Sequence, residues 1–210
     1  MAIIKPTSKG SSGNNGGGNF YGVCDIEVLG FNDKSSNFEW ADIYLEVIVK
    51  QKGSDYTKTI RLAGSLEKDP DGSVKGGSVL NRLYHFFDVL GCSCGINAQG
   101  KWETEDGQPI DDIAKYLTDK HSIGFNSEPT NFPYLAYVYK EKPKQAGGKV
   151  FTRVHHKINV NTEEGRRKLT DDIKWFKDKG FIKEASLEQS SHASKEELDE
   201  VFGNDTLGNM

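Results

Sequence analysis

The chain has 210 residues, 35% of them apolar and 28% charged, with a formal net charge of −4. That length accommodates one ordinary domain with extensions, and no apolar run approaches the roughly 20 residues that a membrane-spanning helix needs. Three cysteines, an odd number with one close pair, do not have the pattern of a disulfide framework.

Residues 1–19 read as a flexible arm. Lys5 to Asn19 is almost entirely Gly, Ser, Asn, Lys and Thr, which bury too little apolar surface to offset the entropy of ordering. Met1 to Gly18 contains no apolar signal-peptide core, so the expected compartment is the reducing cytoplasm. Gly22 to Leu29 alternates Cys24, Ile26 and Val28 against Val23, Asp25 and Glu27, the period of a half-buried strand. Asn32 to Asn37 is rich in turn formers. Trp40 to Lys50 carries the clearest strand pattern. Ala41, Ile43, Leu45, Val47 and Val49 share one face; Trp40, Asp42, Tyr44, Glu46, Ile48 and Lys50 share the other. Lys52 to Asp55 is a hairpin turn around Gly53, and Tyr56 to Leu62 returns as a third strand.

The period then changes. After a loop at Asp69 to Gly77, Val79, Leu80, Leu83, Phe86, Phe87 and Leu90 recur at helical spacing, with Ser78 as the expected cap and Gly91 at the C-terminal end. Ile110 to Leu117 predicts a second, shorter helix. Strand character resumes over Pro133 to Lys140, followed by a Lys-bearing loop from Glu141 to Gly148 and a fifth strand from Lys149 to Ile158. A last helix runs from Thr162, its cap, to Lys179, with Leu169, Ile173 and Phe176 as its apolar stripe. From residue 183 the chain reads as an acidic, disordered tail. Seven acids between Glu184 and Met210 face Lys195 alone, which leaves the body mildly basic.

Three strands, a helix and two further strands is the order of a five-stranded OB-type Greek-key barrel. The expected fold is therefore mainly β with helical insertions, its domain spanning 20–182. A short β-sandwich has a compatible order, and the insert between strands three and four exceeds what a minimal barrel needs.

The informative segment is Phe132 to Lys157. Along its fifth strand Lys149, Phe151, Arg153, His155 and Lys157 alternate onto one face, opposite Val150, Thr152, Val154, His156 and Ile158. Cations and an exposed ring are what single-stranded nucleic acid requires. Lys and Arg hold phosphates, and bases stack on aromatic faces. Lys140, Lys142 and Lys144 extend the basic face through the loop. Tyr137, Tyr139, Tyr56, Lys58, Arg61, Trp40 and Tyr44 complete the candidate set, although Lys58 and Arg61 have opposite alternation, and Asp42 and Glu46 share the face of Trp40 and Tyr44. In the tail, Leu198, Val201 and Phe202 form a small apolar patch if that stretch becomes helical, a handle for replication or recombination proteins.

With its Gly-rich arm, barrel order and acidic tail, the chain resembles the single-stranded DNA-binding proteins of bacteria and tailed phages. The large insert from Ser78 to Leu117 is closer to the phage versions. The resemblance implies sequence-independent coating of single-stranded DNA in replication, recombination or repair. The chain departs from the bacterial pattern in closing Asp205-Thr-Leu-Gly-Asn-Met210 rather than with Pro-Phe. The competing reading is a β-barrel adaptor that binds replication or virion proteins without touching nucleic acid. Neither reading calls for a cofactor, a membrane or a catalytic group, and both leave self-association open. Cys92 and Cys94, near His85 and His121 in sequence, are spaced too tightly for the commoner zinc pairs. His155 and His156 are expected on opposite faces. Asp111-Asp112 and Asp171-Asp172 read as solvated helix acids. The sequence holds no phosphate-binding loop and no G-x-S-x-G or H-E-x-x-H motif.

Overall fold

A computed structural model describes residues 20–145 and 148–185. In chain order the elements are β1 (Gly22–Asp33), a 3₁₀ turn (Ser35–Asn37), β2 (Ile43–Gln51), β3 (Thr57–Gly64), β4 (Glu67–Lys68), β5 (Val74–Gly76) and α1 (Ser78–Leu90). They continue with β6 (Cys94–Ile96), β7 (Trp102–Thr104), α2 (Ile113–His121), β8 (Tyr134–Glu141), β9 (Phe151–Val160) and α3 (Glu163–Asp178). The molecule is mainly β, with one five-stranded antiparallel sheet ordered β3-β2-β1-β8-β9 and two small hairpins, β4–β5 and β6–β7. No helix among the described residues is long and apolar enough to cross a membrane.

The alternation in β2 translates directly into packing. Ile43, Leu45, Val47 and Val49 are buried in one core with the apolar faces of α1 and α2, and Ile60 and Leu62 of β3 join them. The six positions of α1 that the helical spacing singles out, Val79, Leu80, Leu83, Phe86, Phe87 and Leu90, are buried in the same core. Each such side chain contributes about 1.5–3 kcal/mol by leaving water. A smaller second core lies on the opposite face of β8. There Leu135 and Tyr137 meet Leu169 and Ile173 of α3, and Ile182 closes the cluster. β8 serves both cores because its residues alternate between them.

Several boundaries differ from the sequence expectation. β1 continues to Asp33, past a bulge at Leu29 where its register on β2 shifts. β2 begins at Ile43, so Trp40 lies outside it. Ser78 is the first residue of α1 rather than its cap; Gly77 holds that position at φ 140°, and Gly91 closes the helix at φ 68°. α2 starts three residues later than expected, because Asp112 caps it by accepting from the Lys115 N–H at 2.8 Å. The cap of α3 is as expected: Thr162 Oγ1 accepts from the Gly165 N–H at 3.0 Å.

The sheet does not close by hydrogen bonds. Among the described residues β3 pairs only with β2, and β9 only with β8. The sheet nevertheless curls until Cα atoms of these two edge strands come within 8 Å of each other.

Candidate nucleic-acid interface

The gap between β3 and β9 is a groove of about 580 Å³. Tyr56, Thr57, Lys58, Thr59 and Arg61 line one bank; Tyr139, Glu141 and the run from Phe151 to His156 line the other. Two strand edges border the groove, and among the described residues no ladder uses their outer N–H and C=O groups.

Phe151 and Arg153 emerge together on the same side of β9, as alternation requires. The guanidinium lies over the Phe151 ring, 5.5 Å from its centroid, and the ring is 53% exposed. Across the groove the Tyr56 ring is 63% exposed. Lys58 and Arg61 both line the groove in spite of opposite alternation. The groove runs along the rim of β3, so both faces of the strand border it. Lys58 is partly buried, and burial lowers its pKa. Its ammonium donates to Ser54 Oγ at 3.2 Å.

The histidines depart from the expectation. Between Ala136 and Val138 of β8, the partner on β9 jumps from Ile158 to Val154. His155, His156 and Lys157 therefore bulge opposite Tyr137 alone. His155 is only 7% exposed, its ring 4.6 Å from that of Phe176 under α3, so it offers no open cationic face. The bulge also brings the His155 and His156 rings to 4.2 Å, although strict alternation would separate them. Burial lowers the pKa of His155 to about 4 and that of His156 to about 3. Both rings are neutral near pH 7 and add no charge to the groove.

Other candidates fall elsewhere. Lys157 turns to α3 and pairs with Asp172 at 3.3 Å. Tyr137 is buried, with its hydroxyl held between Glu184 and Lys177, and it supports rather than lines the groove. Tyr139 stacks on Tyr137 at 5.9 Å and does reach the groove. Tyr44 is buried, stacked on Phe38 at 4.2 Å; the exposed Trp40 covers its edge. Both lie outside the groove lining, as does Lys140, whose ammonium sits 5.4 Å over the Tyr21 ring. Lys142, Lys144 and Lys149 line an adjoining hollow of about 360 Å³, which shares Glu141, Phe151 and Arg153 with the groove.

Carboxylates temper the positive field. Glu141 binds Arg153 at 2.7 Å, and Glu46 lies 3.8 Å from Arg61 and 2.7 Å from Lys34. The unmatched cations nearest the groove are Lys58 and the lysines of the loop. Among the described residues, Lys142, Lys144 and Lys149 enter no salt bridge. Sequence reasoning missed Thr57, Thr59 and Thr152, whose hydroxyls add neutral hydrogen-bonding groups to the banks. Threonine is equally common on any strand, so nothing in the sequence marked them.

Away from the groove, Cys92 and Cys94 lie with their Sγ atoms 3.4 Å apart. Among the described residues no group of three or more His, Cys, Asp or Glu is placed to hold a metal ion. The arm at 1–19 and the tail from residue 186, with Leu198, Val201 and Phe202, lie outside the described residues. Compared with protein-family models, curated proteins and solved structures, the chain matches none.

Proposed function

We propose that the sheet is an OB-type barrel left open along one seam, and that the seam binds single-stranded DNA without sequence preference. The strand order supports the first part. With β8 and β9 as the fourth and fifth long strands and α1 between the third and fourth, the connectivity is that of the Greek-key barrel, and the open seam falls between its third and fifth strands.

The observation that carries the functional reading is the Arg153–Phe151 pair facing Tyr56 across the groove. Rings on both banks supply stacking surfaces that any base can use, and the neighbouring lysines supply phosphate contacts. Nothing in the lining resembles a rigid base-reading set, which suits a protein that coats DNA during replication, recombination or repair. This is the role of the phage-type proteins that the sequence resembles. The cytoplasm is its expected setting.

The test is a fluorescence-anisotropy titration with labelled oligo-dT and with duplex, at two ionic strengths. Single strands should bind preferentially, with affinity falling as salt rises by a slope of about −0.7 per phosphate contacted. Phe151→Ala should weaken oligo-dT binding by about 1–3 kcal/mol, the usual cost of one lost stack. Equal affinity for duplex, or indifference to both salt and Phe151→Ala, overturns the proposal and favours the protein-adaptor reading.

A further inference from the structure

Phe181 and Trp175 are conspicuous outside the groove. Phe181 is 68% exposed and Trp175 51%, and their ring centroids lie 5.8 Å apart. They are held firmly. Phe176 supports both rings edge-on at 5.1 and 6.2 Å. The Phe181 N–H donates to the Phe176 carbonyl at 2.9 Å. The next residue, Ile182, is buried in the second core. Lys183 to Ala185 then lies along the end of β8. The Lys142 N–H donates to the Lys183 carbonyl at 2.8 Å, and the Ala185 N–H donates to that of Lys140 at 2.9 Å. Large rings are thus fixed in water at the surface, already paid for in conformational entropy before any ligand arrives.

Their surroundings are basic. Phe181 lines a hollow of about 610 Å³ together with Lys142, Pro143, Lys144, Lys183 and Glu141. Among the described residues none of these three lysines is in a salt bridge, and the Glu141 carboxylate is already engaged by Arg153. The hollow is also continuous with the groove. It shares Glu141, Lys142, Pro143 and Lys144 with the hollow beneath the loop, which in turn shares Glu141, Phe151 and Arg153 with the β3–β9 seam.

We infer that Phe181 and Trp175 form a second base-stacking station, reached by the same single strand after it passes Phe151 and crosses the lysines at 142 and 144. This rests on the proposed function of the groove. A polyanion bearing flat rings at intervals matches the alternation Phe151/Arg153, then Lys142/Lys144, then Phe181/Lys183. An acidic protein segment without apolar or aromatic side chains would use the lysines but leave the two exposed rings unmatched. The station makes the footprint longer than the seam alone.

The experiment uses the full chain and two labelled oligo-dT probes, one of about 5 nucleotides, short enough for the seam, and one of about 15, within the range that a single barrel covers. Phe181→Ala should weaken the long probe about tenfold, consistent with one lost stack, and leave the short probe unchanged. Phe151→Ala should weaken both. As an independent readout, the long probe should quench tryptophan fluorescence more than the short one, and Trp175→Phe should remove that excess. If Phe181→Ala leaves the long probe's affinity unchanged and Trp175 accounts for no quenching while Phe151→Ala still weakens both, the second station is overturned and the groove stands. If the wild-type chain binds neither probe, the groove reading itself fails, and the second station fails with it.

Discussion

Glu141 and Arg153 meet diagonally across the β8–β9 ladder, with Oε2 accepting from Nε at 2.7 Å, directly beside the Phe151 ring. The pair is about one-third exposed on each side, so its own contribution to stability is small. Its effect on binding is larger, because the carboxylate occupies the cation that a phosphate would use. Glu141→Gln should release the guanidinium. Affinity for oligo-dT at low salt should then rise about 2–5-fold, the equivalent of breaking one exposed pair. The salt slope should steepen by about 0.7 through the extra phosphate contact. Anisotropy titrations at three ionic strengths would measure both; weaker binding would mean that Glu141 orients Arg153 rather than competing for it.

Tyr137 separates support from contact. Its hydroxyl bridges Glu184 and Lys177, which remain paired to each other at 2.9 Å. Tyr137→Phe should cost about 1 kcal/mol, a fall in melting temperature of about 2–4 °C for a chain of this size. Oligonucleotide affinity should be unchanged, because the ring lies beneath Tyr139. A thermal melt paired with one titration decides the matter, and a loss of affinity would return Tyr137 to the binding face.

The His155–His156 bulge predicts acid sensitivity. Folded-state values of about 4 and about 3 lie below the ordinary 6.5, because burial disfavours the charged rings and Lys157 adds repulsion. Protonating His155 also breaks the hydrogen bond that its Nδ1 accepts from the Lys157 N–H at 3.1 Å. The unfolded chain therefore takes up protons from about pH 6.5 downward while the folded chain does not. Stability should be full above that pH and fall on acidification, by at most about 1.4 kcal/mol per unit for each ring, until the folded values are reached. Urea midpoints between pH 7 and 4 should trace this fall. His155→Asn, which keeps an acceptor in place of Nδ1, should remove about half of it, the share of one ring; an unchanged slope would show that other groups drive the acid response.

Gly165 stands where α3 leaves β9. A Cβ there would lie 2.1 Å from the Val160 carbonyl oxygen, a backbone atom that cannot swing aside. Gly165→Ala should destabilise the protein by about 1–3 kcal/mol, the usual range for overpacking. A urea midpoint indistinguishable from wild type would mean that the first turn of α3 is free to shift.

Much of this architecture is legible from residue order. The β2 alternation, the α1 stripe and the Thr162 cap are local patterns, and their periods dictate which side chains share a face before any partner is known. The nearness of Phe151 and Arg153 is local as well, because residues two apart on a strand project to the same side. The small β4–β5 and β6–β7 hairpins are not legible in this way, since strands of two or three residues carry too little periodicity.

The charge of the groove is not legible along the chain for a different reason. Counting along β9 gives a row of cations, but Glu141 arrives from β8, Asp172 from α3, and Glu46 from β2. Alternation also failed at His155 and His156, because a bulge depends on the register between two strands rather than on either one.

By itself, then, the sequence determined the order of the long strands and helices, the faces that β2 and α1 bury, and the ring–cation pair, all governed by spacings of two to four residues. Tertiary structure alone decided that β3 and β9 approach without pairing, which cations keep their charge free, and that Phe181 stands beside Lys142. Those relations join residues tens of positions apart, and they are set by how the sheet curls and where α3 docks, quantities that no local period encodes.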